Sequence, residues 1–401
     1  MNYYVAILIL VAFLGTLAFR LSLPAVAFYT RLSLHASAFG VGLLTSVFFL
    51  ARAFTAIYSG GLADRFKTKV LYISASAFLL NSIATYSYSY ARILPHVLLI
   101  RFIQGVLNGF GWVPIQVMVG LLVRKNIRGR IYSIYFISGS IGIIAGNLTY
   151  SILAYQPLNS ILIIASIVFL ITSLTIFAVA FRIKGVELYT YERRMSSVKQ
   201  SGRMSIRDVF RIEIIILFLI VLCVGSFNSI ARGDLIYIYM KEFFNLSKSL
   251  VAGYIALASL FGLAVGYLLS WLSDRYDEYT SLIIALLIYV LGALLLGVII
   301  RYTAILSLAL VYAGSSSIIP IVRKIGVSQR HGGTVIGFIN ASANIGNVLG
   351  SAIAGELYDI LIPSISMFTV KYSTLILIMV SPLIAIAIIS VFIRYRYIPH
   401  Q

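Results

Sequence analysis

An all-α membrane protein, with twelve transmembrane helices in two pseudo-symmetric six-helix bundles, is the fold class that three observations predict. Of the 401 residues, 61% are hydrophobic and only 11% charged, against about a quarter charged in ordinary soluble domains. Apolar runs of the ~20 residues that cross a bilayer as a helix recur from end to end. Short patterns in the first half return in the second at offsets of 210 and 204 residues.

Charges and Pro/Gly breaks divide the apolar runs into spans near 4–29, 37–61, 70–90, 94–122, 131–154, 160–182, 212–240, 249–273, 280–300, 303–322, 334–358 and 367–393. Only Arg301-Tyr302 separates the ninth from the tenth. The opening Met1-Asn2-Tyr3-Tyr4 lacks the basic stretch and small-residue cleavage site of a secretory signal, so the first run is read as a retained span. Cys223 lies inside an apolar run without metal-site spacing, and as the single cysteine it has no disulfide partner in the chain. It is read as a packing residue. No cofactor or metal is implied.

The net charge of +19 is not a nucleic-acid footprint. The basic residues sit in short breaks between spans, where positive charge orients a membrane protein. With the N-terminus inside, 21 of the 31 Lys and Arg fall on the inner side and 6 on the outer, and 4 lie within spans. Both termini are therefore expected in the cytoplasm of a multi-pass plasma-membrane protein. The expected organisation is an N-terminal six-helix bundle over 1–183, a basic cytoplasmic linker over 184–211 and a C-terminal six-helix bundle over 212–401. The linker's Lys and Arg suit it to lie on anionic headgroups.

Leu62-Ala63-Asp64-Arg65 follows the second span and Leu272-Ser273-Asp274-Arg275 the eighth, 210 residues on. Gly129, Ser138, Ile141, Gly142 and Gly146 of the fifth span match Gly333, Ser342, Ile345, Gly346 and Gly350 of the eleventh, 204 residues on. Two echoes in equivalent places point to a duplicated body. The run Gly60-Gly61-Leu62-Ala63-Asp64-Arg65-Phe66-Lys67-Thr68-Lys69 resembles the loop signature between helices two and three of major facilitator transporters, with Lys67 where that family prefers Gly and Thr68 where it has a basic residue. Arg101-Phe102-Ile103-Gln104-Gly105 resembles the family's fourth-helix motif, and the Gly-rich fifth span is only weakly similar to its antiporter motif because the Gly-Pro pair is missing.

The resemblance implies transport of a small solute by alternating access, with no enzymatic chemistry. It implies that Gly60, Asp64 and Arg65 form an inner gate motif, Asp64 meeting the N-terminus of the eleventh helix, where free N–H groups favour a carboxylate. Asp274 and Arg275 would form its counterpart, weakened by Asp277 and Glu278 in place of basic residues.

Charges within membrane spans are costly and mark pathways. Arg20, Arg52, Arg101 and Arg232 are such charges, against one clear carboxylate, Asp234. Arg20 and Arg232 are assigned to the substrate pathway and Arg52 to a structural role, while Arg101 suits either. Guanidinium groups offer forked donors to carboxylate or phosphate, so an organic anion is the favoured cargo. Gly233, between Arg232 and Asp234, signals a helix break that frees backbone groups. Asp234 has two open readings, an outer-gate partner for Arg20 or a proton carrier. Gln104 and Asn108 share a face with Arg101 on the fourth helix, and Asn340, Asn344 and Asn347 share one on the eleventh. All are taken as pathway-lining, with interhelical hydrogen bonding as the competing reading, and Ser315, Ser316 and Ser317 add to the lining. Glu356 and Asp359, near the end of the eleventh span, are read as solvated.

The alternative within the class is a drug-type exporter with an aromatic, apolar cavity. A channel is disfavoured by the duplicated latch motifs. A membrane-embedded enzyme lacks any H-E-x-x-H pair, G-x-S-x-G elbow or P-loop. The expected partners are a small-molecule substrate and the lipid bilayer, with no nucleic acid, and the protein is expected to be a monomer.

Overall fold

The computed structural model describes residues 3–66, 69–124, 127–183, 212–275, 277–298, 300–328, 332–362 and 368–397. The segment expected as a linker, 184–211, lies outside them. Among the described residues the chain forms thirteen α-helices. They are α1 (Tyr3–Phe28), α2 (Ala38–Phe66), α3 (Val70–Ser87), α4 (Leu94–Leu121), α5 (Arg128–Leu153), α6 (Leu158–Arg182), α7 (Ile212–Ala231), α8 (Leu235–Glu242), α9 (Lys248–Arg275), α10 (Glu278–Leu296), α11 (Arg301–Ser328), α12 (Gly332–Leu361) and α13 (Phe368–Tyr397). One span, the seventh, is interrupted at residues 232–234, so α7 and α8 are its two pieces. Among the described residues, eleven of these helices are long and apolar enough to cross a bilayer. The long α12 is not one of them, because Asn340, Asn344 and Asn347 dilute its apolar run.

The chain divides into two compact units, residues 1–35 with 47–202 and residues 36–46 with 203–401. The first turns of α2 thus belong with the second unit and the rest of α2 with the first.

In the first unit, α1 packs on α5 and α6, and α3 on α4 and α6. Apolar side chains such as Leu8, Phe78, Ile115, Phe169 and Ile176 fill its core. Serines join the helices by donating to carbonyls that water cannot reach in a bilayer. Ser74 donates to the Gly111 carbonyl at 2.6 Å and Ser173 to that of Ala75 at 2.7 Å. In the second unit, Ser373 donates to the Gly297 carbonyl at 2.7 Å. There Phe243 stacks on Tyr372 with centroids 3.7 Å apart, and Tyr239 stacks on Tyr358 at 5.5 Å.

The duplication is physical as well as textual. On α5, Ser138 donates to the Ile9 carbonyl of α1 at 2.8 Å, and on α12 Ser342 donates to the Phe218 carbonyl of α7 at 2.6 Å. A Cβ on Gly142 or Gly146 would run into the carbonyls of Phe13 or Leu17, and one on Gly346 or Gly350 into those of Leu222 or Ser226. Each accepting residue on α7 lies 209 positions after its counterpart on α1. The same small-residue seam is built twice.

A third echo lies at the starts of α2 and α9. His35 (φ 53°) and Asn245 (φ 49°) are both left-handed, a conformation in which Asn and His are over-represented. Two residues on, Ser37 accepts from the Gly40 amide at 3.1 Å and Ser247 from the Leu250 amide at 3.2 Å, so each serine caps its helix. His35 and Asn245 are 210 residues apart, the offset of the Asp-Arg motifs.

Candidate functional site

Each unit holds a polar cluster around one of the intramembrane arginines. In the first unit, Arg101 of α4 is 1% exposed. Its guanidinium carbon lies 5.3 Å from the ring centroids of both Phe19 on α1 and Phe48 on α2. Such stacking favours a planar, weakly hydrated cation. One turn along α4, fully buried Gln104 takes part in a chain of bonds. Its Oε1 accepts from the Tyr88 hydroxyl at 2.9 Å and, more weakly, from Arg101 Nη1 at 3.4 Å, while its Nε2 donates to Thr85 Oγ1 at 3.1 Å. This cluster joins α1, α2, α3 and α4. Asn108, a further turn along, is half-buried, and its Oδ1 accepts no hydrogen bond among the described residues. Arg20 is half-buried on α1, with its Cβ against the backbone of Gly146.

In the second unit the break expected at Gly233 is present. Helix α7 ends at Ala231, residues 232–234 bend, and α8 starts at Leu235. A Cβ at 233 would collide with the Ser229 carbonyl and lie 2.7 Å from Thr45 Oγ1, so only glycine fits. Half-buried Arg232 lies over the Tyr312 ring of α11, 4.2 Å from its centroid. Its Nη2 donates to the Tyr312 carbonyl and to Ser316 Oγ, both at 3.0 Å. The Tyr312 hydroxyl donates to the Ala231 carbonyl at 3.2 Å, satisfying a group at the broken helix end. Asp234 is fully buried, and its Oδ2 accepts from Thr45 Oγ1 at 2.7 Å. Nearby, Tyr289 of α10 donates to Asn228 Oδ1 at 3.2 Å. The arrangement is a guanidinium on an aromatic face, bonded to a carbonyl and a serine hydroxyl, at a helix discontinuity. Such a group suits a planar anion chemically.

The asparagines of α12 do not form one network. Exposed Asn340 accepts from Arg323 Nη2 at 2.9 Å, Asn344 is half-buried, and Asn347 Nδ2 bonds back to the Ala343 carbonyl of its own helix at 2.7 Å. Of the two Asp-Arg motifs and their neighbours, Gly60 has open space where a Cβ would stand. Arg65 lies over Phe66 at 5.5 Å and Arg275 over Trp271 at 4.4 Å. The side chains of Asp64 and Asp274 lie outside the described residues. Beside the second motif, Lys324 pairs with Glu278 at 3.1 Å and donates to the Ser273 carbonyl at 2.9 Å. Asp359, read from sequence as solvated, instead caps α2. Its Oδ1 accepts from the Ala38 amide at 2.9 Å and its Oδ2 from the Phe39 amide at 2.8 Å. Sequence reasoning missed Thr45, Tyr88 and Tyr312. Tyr312 stands four residues before Ser316 on one helical face, which was a usable signal; Thr45 offered none.

Comparison with known proteins bears on the fold and the family. The chain aligns with a bacterial homologue of the human lysosomal transporter Spinster, in an inward-facing and occupied conformation, at TM-score 0.78 and 15% identity, covering 99% of this chain and 97% of that one. It aligns with the nucleoside transporter NupG at TM-score 0.73 and 13% identity, covering 99% and 100%. In sequence it is 38% identical over 90 residues to the niacin transporter NiaP of Acinetobacter baylyi, a match spanning 22% of this chain and only 20% of that relative. The family model described as Major Facilitator Superfamily matches residues 8–351. With that match over most of its length and a helical seam built twice, the chain belongs to the Major Facilitator Superfamily, the membrane transporters of small solutes.

Proposed function

We propose that the transported solute is a small organic anion, carried by alternating access, and that Arg232 is its principal contact. The observation that carries this reading is the half-buried guanidinium at a helix break, laid on Tyr312 and bonded to Ser316. Arg20, Asn108, Asn340, Asn344 and Asn347 are proposed to line the route, with Arg101 and Gln104 supporting it from α4. Asp64 and Asp274, with Gly60, Arg65 and Arg275, are proposed as its gate. The partial likeness to a niacin transporter supports an aromatic carboxylate as the first cargo to try. The chain is further proposed to be a plasma-membrane monomer with both termini in the cytoplasm.

The test is uptake of radiolabelled niacin and benzoate into proteoliposomes, with competition by their uncharged amides. Carboxylates should compete and amides should not. A hydrogen bond to a charged partner contributes about 1.5–3 kcal/mol, so Arg232→Gln should raise KM roughly 10- to 100-fold. Equal competition by acid and amide, together with an unchanged KM in Arg232→Gln, would overturn the anion reading.

A further inference from the structure

We propose that Thr45, on α2, is a positioning residue for the Arg232 site, and that its hydroxyl holds the seventh span broken in the shape the site needs. The inference rests on the reading of Arg232 as a substrate contact.

Thr45 and Asp234 are joined by two hydrogen bonds through one oxygen. The Thr45 hydroxyl donates to Asp234 Oδ2 at 2.7 Å, and the same oxygen accepts from the Asp234 backbone N–H at 3.0 Å. A broken helix leaves amides without intrahelical acceptors, and one of these is satisfied here by a side chain from a distant helix. Thr45 is 2% exposed and Asp234 fully buried, so water is excluded as a substitute. The glycine at 233 belongs to the same knot, since a Cβ there would meet both the Ser229 carbonyl and Thr45 Oγ1. Arg232, with its Nη2 on the Tyr312 carbonyl and Ser316, directly precedes this glycine.

Threonines inside helices commonly bond back to the carbonyl one turn earlier. Thr30, Thr55, Thr149 and Thr172 do so here. Thr45 gives its proton to Asp234 instead.

The part of α2 that carries Thr45 belongs to the same compact unit as the break and is tightly seated there. Asp359 caps its first amides. A Cβ on Gly42 would meet the Ser351 carbonyl, and Ser46 Oγ donates to the Val348 carbonyl at 2.7 Å. These contacts fix the height and rotation of this first part of α2, and a β-branched side chain with few rotamers then delivers its oxygen to one point. Removing that oxygen leaves the break free to relax and carries Arg232 away from Tyr312 and Ser316.

Thr45→Ser, Thr45→Cys and Thr45→Val form a series of falling hydrogen-bonding strength, and Thr45→Val also keeps the branched shape. In the uptake assay with niacin and benzoate, Thr45→Val should raise KM about tenfold, part of the effect of losing both hydrogen bonds. Its kcat should stay within about twofold, Thr45→Cys should fall between, and Thr45→Ser, which keeps the oxygen but not the branch, should stay closest to the parent value. Arg232→Gln is measured alongside. If it raises KM while the Thr45 series is flat, the positioning role is refuted and the anion reading stands; if it leaves KM unchanged, the reading of Arg232 as a substrate contact fails. Hydrogen exchange at the start of α8 decides the matter even when neither probe is carried. Thr45→Val should speed exchange around 234–236 about tenfold and Thr45→Ser should not; unaltered exchange in Thr45→Val would overturn the proposal.

Discussion

Asp359→Ala should lower the thermal stability of the protein by an amount the geometry sets. The carboxylate accepts from the two leading amides of α2, Ala38 N at 2.9 Å and Phe39 N at 2.8 Å. Neither amide has an acceptor within its own helix, because the first four N–H groups of any helix lack one. Losing a typical N-cap costs about 0.5–2 kcal/mol, and a hydrogen bond to a charged acceptor contributes about 1.5–3. Asp359 is half-buried, so water recovers part of the loss on truncation, and about 2 kcal/mol is the expected cost. At roughly 2–4 °C per kcal/mol for a unit of about 200 residues, the melting midpoint in detergent should fall by about 4–8 °C. Asp359→Asn keeps the shape but turns an amide N–H group toward one of the donors, so it should lose about half as much. Glu356→Ala is the control, an exposed carboxylate on the same helix, and should move the midpoint by less than about 1 °C. The Ser37 cap acts on a different amide, that of Gly40, so Ser37→Ala should add to Asp359→Ala without much coupling. Equal midpoints for Asp359→Ala and Glu356→Ala would show that the carboxylate does not hold α2.

Three further outcomes follow from packing. Gly346→Leu and Gly350→Leu force side chains into the carbonyls of Leu222 and Ser226, and at about 1–3 kcal/mol or more of strain should abolish a monodisperse peak in fluorescence-detected chromatography. Arg101→Lys keeps the charge but loses the flat contact with Phe19 and Phe48, and unfolding midpoints should register a loss of about 1–2 kcal/mol. Glu278→Ala should be nearly silent, because its pair with Lys324 has both side chains about a third exposed and such surface pairs contribute about 0–1 kcal/mol; Lys324→Ala, which also surrenders a bond to the Ser273 carbonyl, should cost more in the same melt.

Much of this architecture is legible in the sequence because it obeys local rules. Apolar length marks the spans, and Gly233 between two charges marks the interruption of the seventh. The matched glycines and serines of α5 and α12 mark the duplicated seams, since close helix approach needs small residues wherever it occurs. The candidate site was legible only as a set of charges out of place. Which atoms they meet depends on partners remote in sequence, as with Asp359, whose two amides lie 321 and 320 positions away. Thr45 was invisible for the same reason, since an isolated threonine in an apolar helix has an unremarkable local explanation. The α12 asparagines share a helical face, but Asn340 and Asn347 turn to different partners, a choice that helical spacing does not encode.

The dilution of α12 by asparagines also bears on how the protein is made. A helix whose amide side chains would face hydrocarbon alone carries a penalty that apolar neighbours in its own sequence only partly offset. Helix α7 presents the Phe218 carbonyl for Ser342 and a backbone groove for Gly346 and Gly350, and it is synthesised more than a hundred residues earlier. Entry of α12 into the bilayer is therefore expected to depend on docking against a helix already there. Glycosylation-site mapping of nascent chains truncated after α12, with and without α7, would show whether the earlier helix acts as the later one's chaperone.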